Sequence, residues 1–188
     1  MAQVKTTSDL MSVDDYLAGE NDGTWRHEFL NGMVYAMAGA SERHNVIKLN
    51  VAGPIDSALG DTCRVFDGDM KLHVVSNEET RFYYPDVFVS CDEADDSQYF
   101  RSDAELVIEV LSPTTRRADR YEKFDAYKKL ASLAEYGLIE QEFPQVEIFR
   151  RKTGWRREVY QPGDVVMLES INQSLSFEQI YRRIKFSP

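Results

Sequence analysis

The segment Leu106–Leu111 reads LVIEVL: five aliphatic residues interrupted by one carboxylate, Glu109. A run that is apolar in both alternating positions reads as a strand covered on both faces, the kind found at the centre of an α/β sheet. An unpaired carboxylate buried there would strongly oppose folding, so any fold this chain adopts has to bring a partner to Glu109. The sequence just downstream offers one. On a helical wheel over residues 116–131, Phe124, Tyr127, Leu130 and Ala131 form an apolar stripe, with Glu122, Asp125, Lys128 and Lys129 largely opposite. Lys123 falls inside that stripe. A helix this amphipathic lays its stripe on the sheet, which turns Lys123 inward, toward Glu109.

A third charge joins them. In YYPDVFVSC, Asp86 opens an apolar run directly after Pro85, and proline confines this position to the beginning or edge of a strand. Two strand-borne carboxylates with a lysine above them suit a hard cation such as Mg²⁺ or Mn²⁺, which takes one or two carboxylates and keeps several waters. Such an ion polarises a phosphoryl oxygen and acidifies a bound water, and a nearby lysine can orient that water or stabilise phosphate charge. Each residue alone also has a plainer reading. Asp86 serves as a turn or cap residue, Glu109 and Lys123 serve as a structural ion pair, and Lys123 can snorkel past Tyr127.

The rest of the chain supplies a framework of one domain over residues 1–188. Ser12 caps a short helix in SVDDYLA, and Asn31-Gly32 between apolar runs marks a hairpin. SERHNVIKLNVAGPIDSALG is helical with an interruption at Gly53-Pro54, giving one kinked helix or two short ones. TCRVFDGDMKLHVV, RFYYPDVFVSC, EYGLIE and QVEIFRR are strands, GWRREVYQPGDVVMLES is a further hairpin through Pro162-Gly163, and SFEQIYRRI is a closing helix capped by Ser176. The fold class is α/β or α+β: a mixed β-sheet flanked by helices, with additional β-hairpins.

Hydrophobic residues make up 43% of the chain and charged residues 29%, an ordinary balance for a globular protein. No apolar run approaches the roughly 20 residues a membrane helix needs, and MAQVKTTSDL lacks the pattern of a secretion signal. The expectation is a cytoplasmic protein, with Cys63 and Cys91 as reduced core thiols. The net charge of −10 argues against indiscriminate nucleic-acid binding by the whole surface, although Arg116, Arg117 and Arg120 could line a local basic groove. His27 and His73 have no metal-ligand spacing, and Asp67–Asp69 reads as a tight turn rather than a further ligand. There is no GxSxG, P-loop or GxGxxG motif.

The motifs YYPDVFVSCD, LVIEVLSPTTRRADRYEKFDAYKKL and EYGLI, with HEFLNGMVYAMAGASERHN nearer the start, resemble the Uma-type family of restriction-endonuclease-like proteins. The resemblance is densest over EVLSPTTRRADRYEKFDAY and extends more weakly over nearly the whole chain. It implies a core of the PD-(D/E)xK nuclease superfamily, a mixed four-stranded sheet flanked by helices. It also implies metal-dependent endonuclease action on DNA. By position, Asp86 and Glu109 would be the acids, with Glu28 as a further acid or metal ligand. The usual lysine position, two residues after Glu109, holds Leu111. In Uma-type proteins the lysine appears on the following helix, which matches Lys123, and Tyr127 matches the tyrosine one turn beyond it. His44 also falls within the matched region, as a helix-start histidine near the site or, the plainer reading, in a surface or capping role. Two strands to cut would suit a homodimer. The competing expectation, which the acidic charge supports, is a catalytically inactive nuclease fold serving as a nucleic-acid- or protein-binding module.

Overall fold

The structure, a computed structural model, describes residues 10–21, 25–77, 79–95 and 97–186; the N-terminal decapeptide inspected for a secretion signal lies almost wholly outside them. The chain begins with α1 (Val13–Glu20), whose N-cap Ser12 accepts a hydrogen bond from the Asp15 N–H. The hairpin β1 (His27–Leu30) and β2 (Met33–Ala36) follows. At its tip Asn31 and Gly32 have φ of 50° and 89°, the paired left-handed conformation that a two-residue turn requires. Next comes α2 (Glu42–Ala58), one continuous helix capped by Ser41 that carries Pro54 inside it.

Four strands then divide between two sheets, β3 (Arg64–Asp67) and β6 (Val87–Ser90) pairing in one, β4 (Lys71–Ser76) and β5 (Glu79–Tyr83) in the other. A two-residue strand, β7 (Phe100–Arg101), precedes the Glu109-bearing β8 (Leu106–Leu111). The helical segment after β8 includes a π-helical stretch, Ala118–Lys123, running into α3 (Phe124–Tyr127). It ends before Ala131, a turn earlier than the wheel suggested. The remainder is β9 (Glu135–Glu140), β10 (Val146–Arg150), β11 (Arg157–Tyr160), β12 (Val165–Leu168), β13 (Gln173–Ser176) and α4 (Phe177–Ile180). Ser176 and Gln179 form the capping box that starts α4.

The central sheet has six strands in the order β11-β10-β9-β8-β6-β3. β8 and β9 run parallel while the other pairs are antiparallel, so β6, β8, β9 and β10 form the mixed core expected from sequence. A second mixed sheet has the order β2-β1-β5-β4-β7. The expected Pro162-Gly163 hairpin does not form as a pair. β11 instead extends the central sheet beside β10, and β12 pairs with β13. Gly163 turns the chain at φ 99°, but the two flanking strands pair elsewhere.

Alternation along β8 divides the core. Leu106, Ile108 and Val110 pack with Ile47, Val51 and Ile55 of α2. Val107 and Leu111 face the other way, into a layer containing Leu72 and Tyr83 of the second sheet with Ala126 and Tyr127 of α3. Glu109 shares the parity of Val107 and Leu111, so its carboxylate enters the layer between the two sheets.

The cysteines overturn the expectation of reduced thiols: Cys63 and Cys91 form a disulfide. The register pairs Arg64 with Ser90, so the next residue outward on each strand faces its counterpart, with Cα atoms 4.1 Å apart. Inspection for CxxC spacing could not detect a bridge set by cross-strand register. Among the described residues no helix is long and apolar enough to cross a membrane.

Candidate active site

Glu109 is 2% exposed, and both of its oxygens are engaged. Oε1 accepts from Tyr127 Oη at 3.0 Å and lies 3.5 Å from Lys123 Nζ. Oε2 accepts the Asp86 backbone N–H at 3.1 Å. In return, Asp86 Oδ2 accepts the Val110 N–H at 2.8 Å. The two acids thus brace each other across adjacent strands, each held by a backbone donor of the other's segment. This exchange is possible because Asp86, just after Pro85, precedes the first ladder pair of β6, where Val87 meets Ile108.

Lys123 is 7% exposed and reaches three carboxylates: Glu28 at 3.0 Å, Asp119 at 3.3 Å and Glu109 at 3.5 Å. The mixed helix explains how Asp119, Lys123 and Tyr127 all point inward. Residues four apart drift by about 40° on an α-helix, and the wider π turns between Asp119 and Lys123 counter that drift. Glu28 arrives from β1, so Lys123 bridges the two sheets.

Burial lifts the Glu109 carboxyl well above the ordinary range; Lys123 pulls it down, while Asp119 and Asp86 add to the rise. Burial likewise raises Asp119. Burial disfavours the Lys123 ammonium, but Glu109, Glu28 and Asp119 overcome this and hold its pKa well above that of a free lysine. Acid and base shift in the same direction because burial dominates at the two carboxyls, while the surrounding carboxylates hold the proton on the lysine. Tyr127, fully buried beside Glu109, stays a neutral hydroxyl donor, its pKa driven up by burial and then by that carboxylate.

The structure therefore gathers all five residues singled out from the sequence: Asp86, Glu109, Lys123, Glu28 and Tyr127. It adds Asp119, which sequence reading passed over although it lies one turn before Lys123 on the same face. It also places His44 Nε2 3.1 Å from Asp86 Oδ2, not at the surface. Two other sequence candidates go elsewhere. Arg116 and Arg120 are tied to Glu140, and Arg120 with Arg157 to Glu147, so neither is free to line a basic groove. Asp67–Asp69 is a tight turn whose acids pair with Lys48 and Arg26.

Among the described residues, no three His, Cys, Asp or Glu side chains converge as a preformed metal cage. The donor chemistry nevertheless suits a hard divalent cation bound through two carboxylates and water. The oxygens are hard, and their negative charge exceeds what Lys123 neutralises.

A mixed central sheet flanked by helices is the architecture of a restriction-endonuclease-like fold. A crystal structure from Anabaena variabilis ATCC 29413, described as "a putative nuclease belonging to DUF820", shares that fold: the TM-score is 0.68 over 90% of this chain and 97% of that one, at 17% identity. The chain belongs to the Uma2 family, described as "Putative restriction endonuclease", whose profile matches residues 13–179. Two Synechocystis sp. (strain ATCC 27184 / PCC 6803 / Kazusa) proteins, both described as uncharacterized, are each 32% identical to it. One, slr1290, aligns over 94% of both chains; the other, sll1609, aligns over 79% of this chain and 85% of its own.

Proposed function

We propose that this protein is a Mg²⁺- or Mn²⁺-dependent endonuclease that hydrolyses DNA phosphodiesters. The observation that carries the reading is the reciprocal brace between Asp86 and Glu109, with the Lys123 ammonium 3.5 Å from Glu109. Asp86 and Glu109 would hold the cation, with Glu28 as a third ligand or an outer acid. When bound, the ion would supply a polarised phosphoryl oxygen and an acidified water.

The chain's own groups do the rest. The brace fixes both carboxylates before substrate arrives, so little reorganisation is needed. Tyr127 restricts Glu109 through Oε1. Lys123, charged throughout the neutral range, orients the attacking water or stabilises charge on the phosphate, taking the place of the superfamily lysine that Leu111 displaces. Glu28 and Asp86 have side chains 19% exposed, against 3% for Glu109, so the phosphate approaches from their side.

A second reading, a nuclease fold that binds without turnover, draws on the saturation of Lys123 by three carboxylates. Incubation with plasmid and single-stranded DNA plus Mn²⁺ separates the two. The nuclease reading expects cleavage by wild type and none by Glu109→Gln or Lys123→Met. Cleavage that persists in either variant rejects this site, and a folded wild-type protein that neither binds Mn²⁺ nor cuts supports the second reading.

A further inference from the structure

Asp86 is held differently from the other acids. Its Oδ2 takes the Val110 N–H at 2.8 Å from within the central sheet and lies 3.1 Å from His44 Nε2, which comes from α2 on the opposite face. His44 is the third residue of α2, and its position is over-determined. Ser41 Oγ accepts the His44 N–H at 3.1 Å and donates to Gln141 Oε1 at 2.7 Å. Arg43 donates to the Gln141 carbonyl at 3.1 Å, fastening the same turn to the end of β9. The cap uses only the backbone N–H of His44, which any residue except proline would supply. Helix capping therefore does not account for the imidazole.

His44 is 9% exposed, and among the described residues its Nδ1 is buried without a hydrogen-bond partner. A carboxylate oxygen accepts, so the tautomer with its proton on Nε2 is the one that matches this contact. In that tautomer Nε2–H donates to Asp86 Oδ2.

We propose that His44 is a positioning residue for Asp86: its Nε2–H fixes the rotation of the carboxylate that would bind the divalent cation. The inference rests on the metal reading above. Outer groups that orient a metal-binding side chain typically change metal affinity by about 10–100-fold.

The test is Mn²⁺ titration into the full chain by calorimetry, in the absence of DNA, with circular dichroism of each metal-free variant as a check on folding. His44→Leu, which removes the donor, is expected to bind Mn²⁺ about 10–100-fold more weakly than wild type. His44→Gln, whose amide N–H can occupy the place of Nε2–H, recovers most of that loss. In an Asp86→Asn background, His44→Leu brings no further change. Equal affinity of wild type and His44→Leu overturns the role of His44 and leaves the metal reading standing. Equal weakness of the folded Leu and Gln variants also overturns it, since a role in packing alone would not distinguish the donor. A wild type with no Mn²⁺ affinity removes the metal reading, and the role of His44 with it.

Discussion

Replacing Lys123 with methionine keeps most of the buried stem and deletes the charge. The lysine faces Glu28 at 3.0 Å, Asp119 at 3.3 Å and Glu109 at 3.5 Å. With an effective dielectric near 20, each contact has a gross Coulomb energy of about 5 kcal/mol, most of it offset by desolvation. Removing one partner from such a buried set costs about 3–5 kcal/mol, because the acids are left uncompensated. The pH dependence carries the diagnostic. Glu109 and Asp119 are raised in the folded state from ordinary values of 4.5 and 3.8, so the stability they contribute is fully present below those values and is lost as pH rises through the folded ones. Loss of Lys123 raises them further, so the variant loses more stability with rising pH than wild type does. Lys123 itself, raised above 10.5, stays charged across the range compared. Urea denaturation is therefore expected to show a deficit of about 3–5 kcal/mol at pH 8 that falls by about half at pH 5, where the acids take up protons. An equal deficit at the two pH values would refute the charge-based account and point to lost packing.

Three further outcomes follow from other parts of the fold. Burial raises Glu147, but the forks of Arg157 and Arg120 outweigh it and hold the carboxyl down at about 2. Its stabilisation is present above the ordinary value of 4.5 and lost as pH falls through 2, so Glu147→Gln should be destabilised by about 2 kcal/mol at pH 7, after allowance for the solvent-screened Arg157, with the difference closing in acid denaturation near pH 2. At Gly137 in β9 a Cβ would meet Ile108 Cγ1 at 3.1 Å and Ile148 Cδ1 at 3.3 Å, so Gly137→Ala should cost about 1–3 kcal/mol in chemical denaturation; no loss would mean the sheet yields locally. Reduction of the Cys63–Cys91 bridge, which spans 28 residues of sequence, should lower stability by about 3–4 kcal/mol, measured with and without dithiothreitol.

Much of this site is legible in the sequence because burying charge is so unfavourable. A carboxylate inside LVIEVL demands a partner, and the wheel that turns Lys123 inward supplies one. Asn31-Gly32, Ser12 and Ser176 mark element boundaries through local chemistry that tertiary context leaves alone. What escapes depends on long-range register. Cys63 meets Cys91 only because β3 pairs with β6, and β11 leaves its expected partner for β10. Asp119 escapes because it sits in the charge-rich run RRADRYEK, where a single acid carries no local sign of burial although it lies one turn before Lys123. His44 escapes because nothing local indicates which strand end the first turn of α2 will face.

The salt bridge between Lys123 and Glu28 is the place where a residue of the second sheet grips the helix packed against the first. The same ammonium proposed to act on substrate is thus a fastener between layers. A relative of this chain with no nuclease activity would still be selected to keep Lys123 and its acids, since discarding them would loosen the molecule. Within such a lineage the presence of these residues records the demands of assembly as well as those of chemistry.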